Sequence, residues 1–250
     1  MIWPFNKYYS ILDSGFLNGA TDWHSHILPG VDDGIQTMGY ALDVLSYYEK
    51  TGIREVWLTP HIMEDVPNET AALRARFAEF KASYTGPIRL HLAAENMIDT
   101  LFDKRFEDGD LLTVGGGSEI PGTDGDMLLV ETSYFNPPMA FNDTLKAIRL
   151  RGLHPLLAHP ERYVYMNRRD YARLKESGVR FQLNLMSLAG MYGTQAADRA
   201  SRLLLDGMYD FAGSDIHRLN PWNHAISHPV LTKKEVEALE ALKERMGQRA

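Results

Sequence analysis

Short apolar runs alternate with longer amphipathic stretches along most of this chain. The short runs predict strands and are TDWHSH, EVWLTPH, IRLHLAAE, MLLVETS, HPLLAHP, RFQLNL and YDFAGSDIH. Apolar residues at helical spacing predict helices at 38–50, 68–84, 142–151, 168–177, 187–207 and 232–249, with a short one within 96–110. We expect Asn68 or Thr70 to cap the second of these helices. Such regular alternation predicts parallel strands joined by helices.

About seven or eight strand–helix units in a chain of 250 residues favour a closed α/β barrel. We predict one barrel domain over residues 21–250, preceded by an N-terminal extension, residues 1–20, that lies on the barrel or at an interface. Gly115–Gly117 and the following SEIPGTDGD predict a flexible surface loop. This loop lacks the pattern of a phosphate-binding P-loop.

Six of the predicted strands end in histidine or carboxylate residues. These residues are His24 with His26, His61, Glu95, Glu131, His159, and Asp215 with His217. Barrel active sites lie at the carboxyl ends of the strands, so these side chains should converge. One such residue alone would more often be structural, but converging carboxylates without cations between them would repel each other. The sequence therefore predicts a site for several metal ions.

The opening stretch DWHSHILPGVDDG adds further candidate ligands. The side-chain period of a strand puts Asp22, His24 and His26 on one face. The Pro29-Gly30 turn can fold Asp32 or Asp33 back towards them. The remaining histidines are expected to be structural: His91, His154, His224 and His228.

Composition narrows the chemistry of this site. The chain has no cysteine, which excludes disulfides, thiolate zinc sites, iron–sulfur clusters and a cysteine nucleophile. A net charge of -7 argues against nucleic acid or an anionic membrane as a partner. The sequence contains no apolar run long enough to span a membrane, and MIWPFNKYYS does not resemble a signal peptide. We expect a cytoplasmic protein.

The segments HSHILPGVDDG, TPH, AAE, LVE, AHPERY and SDIH, in this order, resemble the PHP (polymerase and histidinol phosphatase) superfamily. They are most similar to its bacterial tyrosine-phosphatase branch, which is tied to capsular and exopolysaccharide synthesis. The resemblance runs from about Asp22 to about His217 and implies a single-domain, distorted (β/α)7 TIM-like barrel. It also implies three divalent metal ions, with manganese as the first candidate and iron or zinc as alternatives.

The resemblance also implies a set of ligands for each metal. The first set is His24, His26, Glu95 and Asp215; the second is Glu95, Glu131 and His159; the third is Asp33, His61 and His217. Arg162 matches the arginine that is expected to hold the phosphate. A further arginine that some members carry after D-x-H has no clear equivalent here, and Arg218 is the candidate substitute.

Three divalent cations against the four carboxylates of these sets leave about two positive charges, which suits a phosphomonoester dianion. Such cations would generate hydroxide from water near neutral pH. From the residues alone we predict a phosphate ester hydrolase without a covalent enzyme intermediate.

The resemblance implies a protein-tyrosine phosphatase that acts on a tyrosine kinase regulating capsular or exopolysaccharide synthesis, through the kinase's cytoplasmic part. One alternative is a small-molecule phosphatase of the histidinol-phosphate type. Another is a metal-binding regulatory protein without turnover that docks a kinase through Tyr134–Phe141. The sequence leaves open the physiological metal, the substrate's identity, the oligomeric state and the role of residues 1–20.

Overall fold

The structure is a computed structural model that describes residues 8–115 and 126–247. The strands are β1 (Thr21–Ser25), β2 (Glu55–Leu58), β3 (His61–Ile62), β4 (Arg89–Leu92), β5 (Glu95–Met97), β6 (Met127–Glu131), β7 (His154–Ala158), β8 (Arg180–Asn184) and β9 (Phe211–Gly213). The helices are α1 (Met38–Thr51), α2 (Thr70–Ser83), α3 (Thr100–Asp108), α4 (Phe141–Leu150), α5 (Arg168–Glu176), α6 (Leu185–Leu188), α7 (Thr194–Leu205), α8 (Leu219–Ser227) and α9 (Lys233–Arg245).

The strands form a closed ring of seven strand positions. β1, β2 and β4 pair in that order, and β3, β5, β6, β7, β8 and β9 form the second run, with every pair parallel. β2 continues into β3 and β4 into β5, so each of these pairs occupies one strand position. The amide of Asp215 donates to the carbonyl of His24 (2.8 Å), and that of His26 donates to Ile216 (3.1 Å), which joins the β9 end to β1. The predicted (β/α)7 barrel is confirmed.

Two of the predicted strands are interrupted just before the candidate ligand that each carries. The sequence predicts one strand ending at His61 and another ending at Glu95, but these residues start the separate strands β3 and β5. Proline lacks an amide hydrogen, so Pro60 cannot donate to the sheet where β2 ends. Pairing resumes with His61 and Glu95 as direct register partners. The interruption therefore places these two residues side by side.

Two details of the predicted helices are wrong. Neither Asn68 nor Thr70 caps α2, because the N-cap is Glu69 and the Asn68 amide donates to the carbonyls of Val31 and His61 instead. The helix predicted over 187–207 is divided into α6 and α7 by a connection containing Gly190 and Gly193. Both glycines have positive φ (76° and 88°), a conformation that interrupts a helix.

Two other predicted segments fall partly outside the described residues. The glycine-rich loop extends into 116–125, which lies outside the described residues. The C-terminal helix was predicted to reach residue 249, but α9 ends at Arg245 with Met246 as its C-cap. None of the helices in the described ranges is long and apolar enough to cross a membrane.

Residues 8–20 pack on the barrel at the end opposite the candidate ligands. Ile11, Phe16 and Leu17 are buried. Phe16 and Leu17 line a crevice with Thr21 at the start of β1, and so cover the amino ends of the strands. The amide of Leu12 donates to Ile226 on α8 (3.0 Å), which ties this segment to the C-terminal helices. In the described part of the chain, residues 8–20 therefore pack against the barrel.

The burial of Ile11 allows this packing to be tested. Ile11 is 0% exposed, so Ile11→Ala should lower the free energy of unfolding by about 2–5 kcal/mol. Tyr8→Ala is the control, because Tyr8 is 50% exposed and its replacement should change stability by less than about 0.5 kcal/mol. Chemical denaturation followed by circular dichroism measures both. Equal stability of the two variants would contradict the packing of this segment.

Candidate metal centre

His24 and His26 point their free ring nitrogens at the same place. His24 Nδ1 lies 2.9 Å from Gln182 Oε1, and His26 Nδ1 lies 2.8 Å from Asp32 Oδ2. Since both acceptors are oxygens, each Nδ1 carries the proton and each Nε2 keeps its lone pair. The two Nε2 atoms are 3.1 Å apart. Two converging lone pairs form an arrangement suited to a shared cation.

Glu95 and Asp215 complete this first group. Glu95 Oε2 lies 3.2 Å from His24 Nε2 and 3.3 Å from His26 Nε2. Asp215 Oδ1 lies 3.6 Å and 3.3 Å from the same two atoms. All four side chains are buried, and their donor atoms are close enough together to hold one ion. These residues are the set that the resemblance implies for the first metal.

A second group forms on the other side of Glu95. His159 Nε2 lies 2.9 Å from Glu95 Oε1 and 3.7 Å from Glu131 Oε2. His61 Nδ1 lies 3.1 Å from both Glu95 Oε2 and Glu131 Oε1. The predicted second set therefore comes together, with His61 as an additional neighbour. Glu95 is shared between the two groups, as the resemblance implies for this residue.

The third group lies nearest the solvent. Asp33 Oδ1 is 3.3 Å from His217 Nε2 and 3.6 Å from His61 Nε2, and the Asp33 side chain is 72% exposed. His217 Nδ1 faces the carbonyl of Asp215 at 3.0 Å, which leaves its Nε2 free for Asp33 or a cation. His26 also belongs to this cluster, since its ring stacks on that of His217.

Among the residues that the structure describes, three buried atoms at the centre have no hydrogen-bond partner: His61 Nδ1, Glu95 Oε2 and Glu131 Oε1. They are close together but lack the angles of hydrogen bonds, and a buried polar atom left unsatisfied costs about 1–3 kcal/mol. The same three residues form a group of potential metal ligands. Nitrogen and carboxylate oxygen suit manganese, iron and zinc. The donor set fits a divalent cation between these atoms.

The electrostatics of the side chains also favour positive charge here. Burial alone would raise the pKa of Glu95, but His24 and His61 hold it well below its usual range. Burial and His26 oppose protonation of His61, yet Glu95 and Glu131 raise the pKa of that imidazole to about 10. Hydrogen bonding from His217 lowers the pKa of Asp33 to about 2. The cluster therefore attracts cations, whether protons or metal ions.

Two candidate ligands have strained backbones. His159 (φ 33°) and Asp215 (φ 51°) are the non-glycine residues with positive φ in the described ranges. This conformation is uncommon for residues with a Cβ and costs on the order of 1–3 kcal/mol each. His159 directly follows β7, and Asp215 is the second residue after β9; both side chains turn into the cluster there. Strain of this kind is typical of functional sites.

A cavity of about 420 Å³ opens above the three groups. Arg162 lines it together with Tyr134, Tyr192 and Arg218. Arg162 follows His159 in a 3-10 turn, residues Pro160–Arg162, and its Nη1 donates to Asp215 Oδ2 (3.1 Å). A guanidinium facing a metal-ligand cluster across a cavity can bind an anion.

The structure brings together all the predicted ligands and Arg162: His24, His26, Asp33, His61, Glu95, Glu131, His159, Asp215 and His217. Their binding of metal stays a prediction. Asp22 is the exception to the predicted strand face, because its carboxylate accepts hydrogen bonds from Ser214 N (2.7 Å), Ser214 Oγ and Tyr48 instead. Asp22 thus links β1 to β9 beneath the cluster.

Sequence reasoning named Asp32 only as a possible ligand, and it missed Gln182 and Asn184 as residues that orient the candidate ligands. Asp32 holds His26, Gln182 holds His24, and Asn184 Nδ2 donates to Asp215 Oδ2 (2.7 Å). The strand period in RFQLNL puts Gln182 and Asn184 on one face, and this was the available signal. Buried amides on an apolar strand need partners.

Comparison with known proteins gives a consistent result. Residues 20–245 match the family described as "Capsular polysaccharide synthesis, CpsB/CapC". The tyrosine-protein phosphatase YwqE of Bacillus subtilis is 28% identical over 208 residues, covering 81% of this chain and 79% of that protein. CapC of Staphylococcus aureus is 25% identical over 203 residues, covering 79% of this chain and 77% of that protein.

A solved structure shows the same fold. It comes from work on YwqE from Bacillus subtilis and CpsB from Streptococcus pneumoniae, described there as unique metal-dependent tyrosine phosphatases. The TM-score is 0.71 at 23% identity, over 92% of this chain and 96% of that chain. Since the family match extends over nearly the whole barrel, from the start of β1 to the end of α9, this chain belongs to the CpsB/CapC capsular polysaccharide synthesis family.

Proposed function

We propose that this protein is a metal-dependent phosphomonoesterase that removes phosphate from tyrosine residues of a protein. The observation that carries the proposal is the set of three adjoining donor groups around Glu95, facing a cavity lined by Arg162. The names of the relatives support phosphotyrosine as the substrate class.

The proposed cations are three, with manganese as the first candidate and iron or zinc as alternatives. They would be held by the three predicted sets, with His61 also able to serve Glu95 and Glu131 through Nδ1. When bound, these ions would neutralise the phosphate oxygens and lower the pKa of a water molecule to supply the nucleophile. Glu95 belongs to two of these sets and would therefore contribute to holding two of the ions.

The chain's own residues bind and orient the ester. Arg162 would donate to phosphate oxygens from the cavity wall, and this contact strengthens as charge develops on them during transfer. Asp32 adds a carboxylate to the four carboxylates among the predicted ligands, and the positive charge of the Arg162 guanidinium offsets it. The site therefore keeps the positive charge that attracts a phosphomonoester dianion.

We further propose that the substrate is the cytoplasmic part of a membrane tyrosine kinase that regulates capsular or exopolysaccharide synthesis, and that the phosphatase acts in the cytoplasm. Phe135 and Met139, in the loop that begins with Tyr134 at the cavity, are large apolar residues left exposed. Apolar side chains beside a reaction site suit a polypeptide substrate better than a small, strongly hydrated alcohol phosphate.

Metal removal tests this function. Protein purified without chelator should contain about three divalent ions per chain and hydrolyse a phosphotyrosine peptide. Chelation should abolish hydrolysis and added manganese should restore it, as measured by elemental analysis and phosphate release on one sample. Histidinol phosphate is the comparison substrate. A kcat/KM for histidinol phosphate far above that for every phosphopeptide would contradict the proposal that the substrate is a protein. Bound metal without any turnover would contradict the proposal that the protein is an enzyme.

Glu95→Gln and Arg162→Ala should affect different steps. Glu95→Gln removes the shared carboxylate and should lower both metal content and activity. Arg162→Ala should leave metal content unchanged, since Asn184 still holds Asp215, and should raise KM roughly 10- to 100-fold by losing a charge-assisted hydrogen bond. Arg169→Ala, at an exposed arginine, is the matched control. An unchanged KM in Arg162→Ala would remove its proposed role.

Asp32→Asn should weaken metal binding without removing a ligand. The carboxylate orients His26 through Nδ1 and also accepts from the amide of His61 (3.1 Å). Losing such a partner typically costs 10- to 100-fold in metal affinity, so we expect a loss of about that size. Competition with a chromophoric chelator measures it. Asp43→Asn, at an exposed position on α1, is the control and should bind metal like the parent protein.

A further inference from the structure

The guanidinium of Arg162 lies between two tyrosine rings. Its central carbon is 4.3 Å from the ring centroid of Tyr134 and 4.0 Å from that of Tyr192. Both distances are well within the range of cation–π contacts, and a planar guanidinium stacks on aromatic faces. Both rings line the cavity beside Arg162. We refer to Tyr134 and Tyr192 as the tyrosine clamp.

The edge of the guanidinium is held as well as its faces. Nη1 donates to Asp215 Oδ2 at 3.1 Å, and the same oxygen accepts from Asn184 Nδ2 and lies 3.5 Å from the hydroxyl of Tyr192. The rings fix the plane of the guanidinium, and Asp215 fixes its rotation within that plane. An arginine side chain that is not held in this way has many rotamers and loses part of that freedom when it binds phosphate.

The two tyrosines come from separate parts of the barrel. Tyr134 follows β6, and its carbonyl accepts from the amide of Val164 (2.9 Å), which lies just beyond the Arg162 turn. Its ring also contacts those of His159 and Tyr163, at 5.8 Å and 6.1 Å. Tyr192 lies in the connection between α6 and α7. The clamp thus joins three segments around one guanidinium, and its Tyr134 side rests on a candidate metal ligand.

We propose that Tyr134 and Tyr192 are positioning residues that hold Arg162 ready to bind the phosphate of the substrate. This inference rests on the proposed function, because it assigns Arg162 to the substrate phosphate. The clamp prepares the arginine before the substrate arrives, so phosphate affinity depends on the rings although neither tyrosine has to contact the phosphate. The tyrosine hydroxyls are not required for this role, since the ring faces make the contact.

The test separates the ring from the hydroxyl. Tyr134→Leu and Tyr192→Leu remove an aromatic face, whereas Tyr134→Phe and Tyr192→Phe keep it. We expect the leucine variants to bind inorganic phosphate about tenfold more weakly and to show a matching rise in KM for an aryl phosphate. The phenylalanine variants should stay within about twofold of the parent protein. Calorimetry on manganese-loaded protein measures phosphate binding, and Tyr8→Leu is the surface control.

A double-variant comparison makes the inference specific to Arg162. In an Arg162→Ala background, Tyr192→Leu should cause no further loss of phosphate affinity, because there is no guanidinium left to position. Full additivity of the two losses would overturn the proposal, as would unchanged affinity in both leucine variants. Equal losses in the phenylalanine and leucine variants would also overturn it by assigning the effect to the hydroxyls.

Separate measurements distinguish loss of the clamp from misfolding and from failure of the proposed function. Metal content and circular dichroism identify a variant that fails to fold, and the two tyrosines are on different segments, so either one alone tests the clamp. Binding of inorganic phosphate does not depend on which ester is hydrolysed. Absence of phosphotyrosine turnover in the parent protein would therefore refute the proposed function. Phosphate affinity alone decides whether the tyrosine clamp positions Arg162.

Discussion

The buried carboxylate of Glu95 is the constraint on which the rest of this site depends. It is 0% exposed and lies within 3.3 Å of ring nitrogens from His24, His26, His61 and His159. An ionised carboxylate in such a position is tolerated only with compensating positive charge. A protonated imidazole supplies one positive charge, and a divalent cation supplies two. The surrounding architecture can be understood as a means of holding four imidazoles around one carboxylate.

The barrel meets this demand because parallel strands end at the same face. Breaks after β2 and β4 make His61 and Glu95 register partners at the start of β3 and β5. Left-handed backbone at His159 and Asp215 turns two further side chains into the same space. The extensive apolar core of the barrel offsets the energetic cost of these strained conformations. At the amino end, Phe16 and Leu17 cover the start of β1, and Glu55 at the start of β2 forms an ion pair with Arg89 at the start of β4.

The candidate ligands are oriented by side chains that do not face the open side of the cavity. Asp32 and Gln182 each accept a hydrogen bond from a ring Nδ1, and so direct the Nε2 lone pairs inward. Asp215 has a divided role, with Oδ1 facing the histidines and Oδ2 accepting from Arg162 and Asn184. The cluster of candidate metal ligands and the Arg162 side chain, which is proposed to bind the phosphate, are therefore connected through one carboxylate.

The sequence by itself determined the strand–helix alternation and the residue types at the strand ends, because both depend on local periodicity. Parallel strands then require those ends to converge, so the candidate ligands from His24 to His217 could be named before the fold was known. Tertiary structure decided which side chains actually meet. Asp22 shares the strand period of His24 but bonds Ser214, while Asp32 and Asp33 are neighbours with different roles. The tyrosine clamp joins residues 134, 162 and 192, and no local pattern encodes contacts between segments so distant in sequence.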